Sequence, residues 1–538
     1  MKFSSFTIRI FAILFCVKQI SCAEGNSKAE YRKSFINPYP RFKAHYDKGD
    51  PGEPLFLTPL ITDPKWTKEM IRNISRVNHK DFEDVESYSG YLTVDPNYNS
   101  NMFFWYFPSE EDPAYAPVVL WLQGGPGASS LFGLFAENGP FEFNEDGELG
   151  KRNYTWSKTH NLIYIDNPVG TGFSFTDHEE GYARNEKTVG HNLHEAVQQL
   201  YEIFEWSGNS DFWIAGESYA GKYVPALAYH IHKVQNSIDT RTIIPLKGMA
   251  IGNGLSDPIH QLQYGDYLYQ LGLIDEHGLI EFNEAEKKGK DCIASHKMDC
   301  AFEVFDNLLN GDMTNGSLFH NLTGFDYYYN YLRTKEDNRS HALGTFLQSS
   351  TVRKAIHVGN KTFHDIDTVN KVEIYLKDDI MDTVAPWISE LLNTDAHIYK
   401  IARREVWRME DGEVAGYAKH AGNLIEIMVR NAGHMAPADQ PKWIILTPVA
   451  LGAMSDSTQF TRFPSNAFFK LTGGMCKRSV LKTAPKGLLS IFPFALQRSA
   501  ATCVQLPGAA PQSIMTSPGE IILYLSSISN NLNALRQR

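Results

Sequence analysis

Residues 212–221 read FWIAGESYAG, and this pattern is the strongest local signal in the sequence. An apolar strand runs into small residues around Ser218 and then into a helix predicted over residues 219–232. Small neighbours let the chain turn sharply, so that the serine hydroxyl stands clear of the strand end, as in a nucleophile elbow. The pattern is Gly216-x-Ser218-x-Ala220, with alanine where a second glycine is usual. The alternative is an ordinary strand-to-helix turn in which the serine caps the helix.

The sequence around this turn alternates short apolar strands with helical stretches between residues 88 and about 254. Continuous apolar strands of this kind indicate a mostly parallel sheet that is buried on both faces. Residues 257–331 are helical and polar, and we interpret them as a cap inserted into the sheet domain. Helical character returns over residues 351–393. The predicted strands are 91–94, 102–107, 118–123, 162–166, 212–216, 248–252 and 424–430.

Two further segments suit a site built around Ser218. Residues 123–130 form a glycine-rich loop after an apolar strand. With a nucleophile elbow, such a loop supplies one N–H of the oxyanion hole and the residue after the nucleophile supplies the other, here Gly125 and Tyr219. A phosphate-binding loop is the weaker alternative, because no Gly-Lys-Ser/Thr is present. His434 lies on a glycine-flanked loop after the last strand, which suits the base, although a lone histidine is more often structural.

Together these segments resemble the serine carboxypeptidase family, specifically its vitellogenic and venom-type secreted or lysosomal members. The resemblance spans residues 88–443. It implies an α/β-hydrolase fold with an inserted helical cap, and a serine-type carboxypeptidase that needs no cofactor. Peptide or protein C-termini would be the substrates, cleaved through an acyl-enzyme on Ser218 with His434 as base. The motifs that carry it are QGGPGASS at 123–130, NPVGTGFS at 167–174, GESYAG at 216–221, IGNG at 251–254 and Gly433-His434.

The same resemblance implies that Gln123, Gly124, Glu137 and Glu217 bind the free C-terminal carboxylate of the substrate. Two carboxyl groups beside a carboxylate repel it unless some are protonated, when they become hydrogen-bond donors. Crowded carboxyls hold protons more tightly, so we expect binding to favour mildly acidic pH. The alternative is that Glu137 and Glu217 are ordinary surface acids.

The sequence departs from the family where the acid of the triad belongs. Family members carry this Asp just after a strand, some tens of residues before the His. The strand, the Asp and a following helix are missing between Asn393 and Tyr399. Loss of a central strand would leave unpaired backbone groups and a cavity. Asp379, Asp382 and Asp395 are the candidate replacements; residues 372–380 look faintly like a strand, but the resemblance places them in a helical region.

Two main hypotheses therefore remain open about activity. The first is a carboxypeptidase that retains some or all of its activity. The second is a catalytically impaired or inactive secreted member, or a defective splice product that folds poorly. An acyltransferase, which uses the same acyl-enzyme, is a more distant third.

The N-terminus predicts a signal peptide over residues 1–23 and a domain over residues 24–443. Lys2 and Arg9 precede the apolar run 10–17, and Ser21-Cys22-Ala23 offers a cleavage site. The run is too short to span a bilayer, so we predict a chain of the secretory pathway, extracellular or lysosomal, without membrane association after cleavage. The alternative is a short buried helix.

Entry into the secretory pathway gives meaning to the cysteines and to the Asn-X-Ser/Thr sequons. Cys292 and Cys300 are close enough for a local disulfide, and no Cys/His cluster has metal-ligand spacing, so no metal is predicted. We predict N-linked glycans at Asn73, Asn153, Asn315, Asn321, Asn338 and Asn360.

The charge balance and the C-terminal composition complete the sequence-based picture. A net charge of −11 and a pI near 5.9 argue against nucleic acid as a partner. Residues 444–538 are basic, rich in Ser, Pro and Ala, and unlike the family. We predict that they form a disordered tail; a new interaction segment is the alternative. The sequence leaves the oligomeric state open.

Overall fold

The computed structural model describes residues 47–82, 84–206, 210–234, 241–311, 316–334, 339–364, 371–392, 400–409, 411–445 and 521–525. All of these residues belong to the unit of residues 35–538, which is the unit described below. The predicted signal peptide and most of the predicted tail lie outside the described residues. Among the residues described, no helix has the length and apolar character needed to cross a membrane.

Within the described residues, ten strands form one sheet and two more form a small hairpin. The order across the large sheet is β1-β2-β6-β3-β7-β8-β12-β11-β10-β9. The strands are β1 (Tyr88–Asp95), β2 (Ser100–Phe107), β3 (Val118–Leu122), β4 (Phe141–Phe143), β5 (Leu149–Lys151), β6 (Asn161–Ile165), β7 (Phe212–Glu217), β8 (Leu246–Gly252), β9 (Arg404–Arg408), β10 (Val414–Ala421), β11 (Leu424–Val429) and β12 (Ile521–Leu525).

The centre of the sheet is parallel, and antiparallel strands flank it on both sides. Neighbours from β6 to β11 pair in parallel, whereas β1–β2, β2–β6 and the β9–β10–β11 meander pair antiparallel. Val118 and Leu120 pack into one apolar cluster and Val119 into the other, because successive strand residues point to opposite faces. Each predicted strand is present, and the predicted mostly parallel α/β fold is confirmed.

Helices cover the sheet and build the segments around the site. Helices cover Ser350–Ala355, Lys371–Ile380 and Ala385–Leu392 within the region 351–393 that was predicted to be helical. Residues 372–380 belong to the second of these helices, in which Val372, Leu376 and Ile380 are buried at a spacing of four. The helices are α1 (Thr58–Thr62), α2 (Lys68–Ser75), α3 (Glu186–Phe204), α4 (Ala220–Val234), α5 (Pro258–Gln261), α6 (Gly265–Leu271), α7 (Glu276–Ala294), α8 (Met298–Leu308), α9 (Leu318–Thr323), α10 (Arg339–Gln348), α11 (Ser350–Ala355), α12 (Lys371–Ile380), α13 (Ala385–Leu392), α14 (Ala436–Asp439) and α15 (Pro441–Ile444).

The strand β12 corrects two expectations of the sequence analysis. It comes from the predicted disordered tail, yet it lies between β8 and β11 and pairs in parallel with both. The prediction of disorder is therefore wrong for residues 521–525. Loss of a central strand was also expected to leave unpaired backbone groups. Between β8 and β11 the tail segment supplies the partners of these groups.

Candidate active site

Ser218 lies in the turn between β7 and α4, with a backbone φ of +65° that few non-glycine residues adopt. Its N–H donates to Gly252 O at 2.9 Å, and its own carbonyl accepts from Gly221 N and Leu255 N at 2.9 and 3.0 Å. A Cβ on Gly216 would lie 2.5 Å from Leu122 O. The small residue is required there, and the predicted elbow geometry is present.

The glycine-rich loop after β3 packs directly on this turn. A Cβ on Gly124 would lie 2.4 Å from Tyr219 N and 2.8 Å from the Cβ of Ser218, so only glycine fits. Gly125 has φ +115°, which also favours glycine. The structure thus brings Gly124, Gly125, Ser218 and Tyr219 together at the carboxyl ends of two adjacent parallel strands.

Gln123, Glu137 and Glu217 form one buried hydrogen-bonded group. Gln123 Nε2 donates to Glu137 Oε1 at 3.0 Å and to Glu217 Oε1 at 3.2 Å, while Trp121 Nε1 fixes Gln123 Oε1 at 2.9 Å. Both glutamates are 1% exposed. The alternative that they are surface acids is therefore wrong, since burial on this scale demands partners or protons.

The pKa values of the two carboxyls reflect this crowding. Burial raises the pKa of Glu137 to about 7, although its hydrogen bonds oppose the shift. Burial and then the charge of Glu137 raise the pKa of Glu217 well above its usual range, and a hydrogen bond between the two carboxyls adds to the shift. At acidic pH the pair therefore holds protons and can donate hydrogen bonds.

Ser218, Tyr219, Gly125 and His434 line one cavity of about 300 Å³. The rest of its wall comes mostly from residues of the predicted cap and is strongly aromatic. A cavity of this size at the carboxyl end of a parallel sheet suits a substrate side chain. The aromatic wall residues include Tyr264, Tyr267, Phe302, Phe305, Phe319 and Tyr328.

The backbone of His434 is held on both sides. Its N–H donates to Tyr329 O at 2.7 Å, and its carbonyl accepts from Asn253 Nδ2 at 2.7 Å. The imidazole packs against the Tyr329 ring, with centroids 4.8 Å apart. Within the described chain, Nε2 of His434 is buried without a hydrogen-bond partner. Burial alone lowers the pKa of this histidine to about 4.

No carboxylate of the described residues contacts the His434 ring. Asp379 pairs instead with Lys222 of α4 at 3.4 Å and accepts from Glu186 N at 3.3 Å. Asp382 accepts from the neighbouring Thr383 N at 2.8 Å. Neither candidate acid is therefore joined to the base, and Asp395 lies outside the described residues.

Sequence reasoning missed the groups that hold the site loops in place. Asp166, 1% exposed, accepts from Ser129 Oγ at 2.5 Å and from the N–H groups of Ser130 and Phe173. Burial, partly offset by these hydrogen bonds, raises the pKa of Asp166 to about 7. It ties the glycine-rich loop to residues 167–174. The sequence signal that could have identified Asp166 is its position directly before the Asn167-Pro168 motif.

The remaining predicted residues lie away from the cavity. Cys292 and Cys300 are joined in a disulfide between α7 and α8. Four predicted glycosylation sites are exposed, as a glycan requires, whereas Asn315 and Asn338 lie outside the described residues. The exposed asparagines are Asn73, Asn153, Asn321 and Asn360.

A serine in a strained strand-to-helix turn, beside backbone N–H donors and a late histidine, is the arrangement of serine hydrolases with the α/β-hydrolase fold. The sequence model described as "Serine carboxypeptidase" matches residues 78–401 and 395–446 of the chain. These two segments meet where the sequence analysis places the missing strand. The chain therefore belongs to the serine carboxypeptidase family, a family of hydrolases.

Individual relatives agree with this assignment. The venom serine carboxypeptidase of Apis mellifera is 48% identical over 448 residues, which cover 77% of this chain and 94% of that protein. The vitellogenic carboxypeptidase of Aedes aegypti is 47% identical over 425 residues, covering 73% and 89%. The crystal structure of Kex1(delta)p, a prohormone-processing carboxypeptidase from Saccharomyces cerevisiae, matches with a TM-score of 0.60 and 21% identity over 71% of this chain and 96% of that one. It supports the fold, and the predicted family and fold are confirmed.

Proposed function

We propose that this chain removes C-terminal amino acids from peptides, with Ser218 as nucleophile and His434 as base. The observation that carries the proposal is the assembled nucleophile side of the site. Ser218 stands in a strained elbow, and Gly124 packs so closely on Tyr219 N that no other residue fits. This geometry is what an acyl transfer to serine requires.

We assign the steps of the reaction to these groups as follows. His434 takes the proton of Ser218 Oγ, and the oxygen attacks the carbonyl carbon of the last peptide bond. The N–H groups of Gly125 and Tyr219 stabilise the oxyanion, and His434 returns the proton to the leaving amino acid. A water molecule, deprotonated by the same histidine, then attacks the acyl-enzyme and frees Ser218.

We assign recognition of the substrate's terminal carboxylate to Gln123, Gly124, Glu137 and Glu217. Among the described residues, Glu137 Oε2 is buried without a hydrogen-bond partner, which suits an oxygen that meets a ligand. The raised pKa of Glu137, about 7, keeps the pair protonated and able to donate at acidic pH. Binding should weaken as the pH rises through 7.

The aromatic wall of the cavity supports a preference for a large apolar residue just before the scissile bond. This residue belongs to the acyl part that stays on Ser218, and the cavity opens from that serine. An aromatic side chain buried there would gain both apolar contact and ring stacking. Peptides with Phe or Leu at this position should be cleaved faster than those with Ser or Lys.

We expect the rate to be low, because no carboxylate of the described chain orients the His434 ring. In serine proteases, loss of the triad carboxylate lowers kcat about 10⁴-fold, while the oxyanion hole and the binding site preserve some catalysis. The lowered pKa of His434, about 4, leaves the imidazole neutral above that pH and weakly basic. We therefore expect the chain to be a slow carboxypeptidase rather than a fast one.

Labelling with a fluorophosphonate tests this proposal most directly. The purified, folded protein should be labelled at pH 5–6, and Ser218→Ala should abolish the signal, because the probe reacts with an activated serine. Absence of labelling in folded protein would support the hypothesis of an inactive family member. Release of a free amino acid from a blocked dipeptide, with transfer to an added amine measured in parallel, separates a hydrolase from an acyltransferase.

We also propose that the protein passes through the secretory pathway and resides outside the cell or in lysosomes. The exposed sequons and the disulfide of Cys292 with Cys300 suit an oxidising, glycosylating compartment. A mass shift on treatment with peptide N-glycosidase, located to Asn73, Asn153, Asn321 or Asn360, would support this. Protein without any glycan would contradict it.

A further inference from the structure

Asp439, at the end of α14, connects the His434 loop to the predicted cap. Its Oδ2 accepts from Gly433 N at 2.7 Å and from Asn330 Nδ2 at 3.0 Å, and its Oδ1 accepts from Arg333 at 3.3 Å. The side chain is only 11% exposed. Hydrogen bonds to a charged acceptor in such a setting are stronger than those between neutral groups.

These contacts fix the residue that precedes the base. Gly433 is packed so tightly that a Cβ would lie 2.5 Å from Tyr329 O and 2.9 Å from Asp439 Oδ2. His434 N donates to the same Tyr329 carbonyl. The carboxylate of Asp439 on one side, and the Tyr329 carbonyl with the Asn330 side chain on the other, therefore hold the loop one residue before the imidazole.

In a complete triad, the carboxylate that orients the imidazole hydrogen-bonds to its Nδ1–H. The described residues offer no carboxylate to this ring, so its orientation depends on how firmly the backbone beneath it is held. We propose that Asp439 is the positioning residue of the base, which fixes His434 through the Gly433 backbone and through residues 329–333 at the end of the predicted cap, instead of through the ring. The inference deepens the proposed function and rests on it for its kinetic part.

A second role of Asp439 follows from its place beside the carboxylate-binding group. The helix α14 packs against the turn Gly133–Glu137. The negative charge of Asp439 adds to the raised pKa of both Glu137 and Glu217. One residue thereby links the orientation of the base to protonation of the group that binds the substrate carboxylate.

Substitution of Asp439 separates the two roles. D439A removes the acceptor of Gly433 N, whereas D439N keeps an oxygen for Gly433 and Asn330 and removes the charge together with the acceptor of Arg333. The matched control is D411A in the β9–β10 turn, which also loses a bond from a backbone N–H and a contact to a lysine, Lys442, but at an exposed place. The readouts are the rate of fluorophosphonate labelling of Ser218 and hydrogen exchange of the amides of residues 431–436.

We expect D439A to label about tenfold to a hundredfold more slowly than wild type, because small displacements of a catalytic group have effects of this size. Its Gly433 and His434 amides should exchange faster. D439N should label within about threefold of wild type, and D411A should change neither readout. Wild-type labelling of D439A, or unchanged exchange at Gly433, would overturn the proposal.

The exchange measurement also keeps this inference separate from the proposed function. If wild type does not label at all, the proposed function fails, but loss of Gly433 protection in D439A still supports the positioning contact and its absence still overturns it. If D439A yields no folded protein, N330A replaces it, because that variant removes the cap-side bond to the same oxygen. N330A should then expose the Gly433 amide to faster exchange, and an unchanged amide would overturn the proposal.

Discussion

The two halves of the site are built differently. The half that carries Ser218 follows strands β3 and β7, which neighbour each other in the sheet and are fully buried, and its loops fit together to within a single Cβ. The half that carries His434 follows β11, which reaches the rest of the parallel sheet through β12 alone in the described chain. The imidazole there is positioned by its backbone and by packing on Tyr329, and its Nε2 has no hydrogen-bond partner among the described residues.

This difference between the Ser218 half and the His434 half indicates which parts of a catalytic site tolerate loss of a segment. Ser218 and its oxyanion loop depend on residues that are local in sequence or lie in adjacent strands, so removal of a distant strand leaves them intact. The base depends on a strand, an acid and a loop that all come from distant parts of the sequence. We therefore expect loss of one segment to leave the nucleophile in place and to weaken the base.

The largest effect should come from breaking β12, since it joins the two halves. Proline has no N–H, so I522P and L523P, one residue apart and facing opposite neighbours, should each leave an acceptor of β8 or β11 without its partner. Each orphaned buried carbonyl costs about 1–3 kcal/mol, out of a total stability of about 5–15 kcal/mol. We expect loss of folded, secreted protein from the double variant, measured by yield and by thermal unfolding.

The control is N530P, outside β12, which should be secreted like wild type. If the double variant folds normally, the tail strand is dispensable and the two halves are joined without it. If N530P fails as well, the effect is not confined to the strand.

The sequence predicted most of the half of the site that carries Ser218 and little of the half that carries His434. The elbow, the glycine-rich loop and the parallel strands follow from contiguous patterns, so reading the chain locally was sufficient. The place of β12 could not be predicted, because strand pairing across almost a hundred residues of chain has no local signature. The contacts of Asp439 with Asn330 and of Asn253 with His434 were missed for the same reason, since these partners lie more than a hundred residues apart.

A smaller effect, confined to activity, should come from the nucleophile half. G124A places a Cβ 2.4 Å from Tyr219 N and so displaces a donor of the oxyanion hole. Loss of one such donor lowers kcat about 10²–10³-fold, and we expect this loss in the labelling rate per folded molecule. G150A in β5 is the matched control, because its Cβ would meet nothing closer than 4.0 Å. Equal labelling of both variants would remove Gly124 from the site.

A tenfold effect should appear in the pH dependence of substrate binding. The pKa of Glu137 is raised to about 7, so this carboxyl is protonated below pH 7 and loses its proton above it, while the still more strongly raised pKa of Glu217 keeps that carboxyl protonated to higher pH. The pKa of His434, about 4, sets the acidic limit, because the base must be neutral. We expect kcat/KM for a blocked dipeptide to fall below pH 4, and to be about tenfold lower at pH 8 than at pH 6.

The variant E137Q sharpens this test. Its amide donates at every pH, so the alkaline fall should shrink to about threefold or less while the acidic limit stays. A profile unchanged by E137Q would mean that another group controls binding above pH 7.

The smallest change in labelling should follow D379N, although Asp379 was a candidate acid in the sequence. Its carboxylate pairs with the buried Lys222 of the nucleophile half, not with His434. An acid that oriented the base would reduce labelling about 10⁴-fold on substitution, whereas a structural partner of Lys222 should change it less than about threefold per folded molecule. The stability should still fall, because a buried cation loses its charged partner. We would measure labelling and the unfolding midpoint on the same preparation, with D382N as the exposed comparison. A large loss of labelling in D379N at unchanged stability would reassign Asp379 to the base and remove the contrast between the two halves, since the histidine would then have its acid.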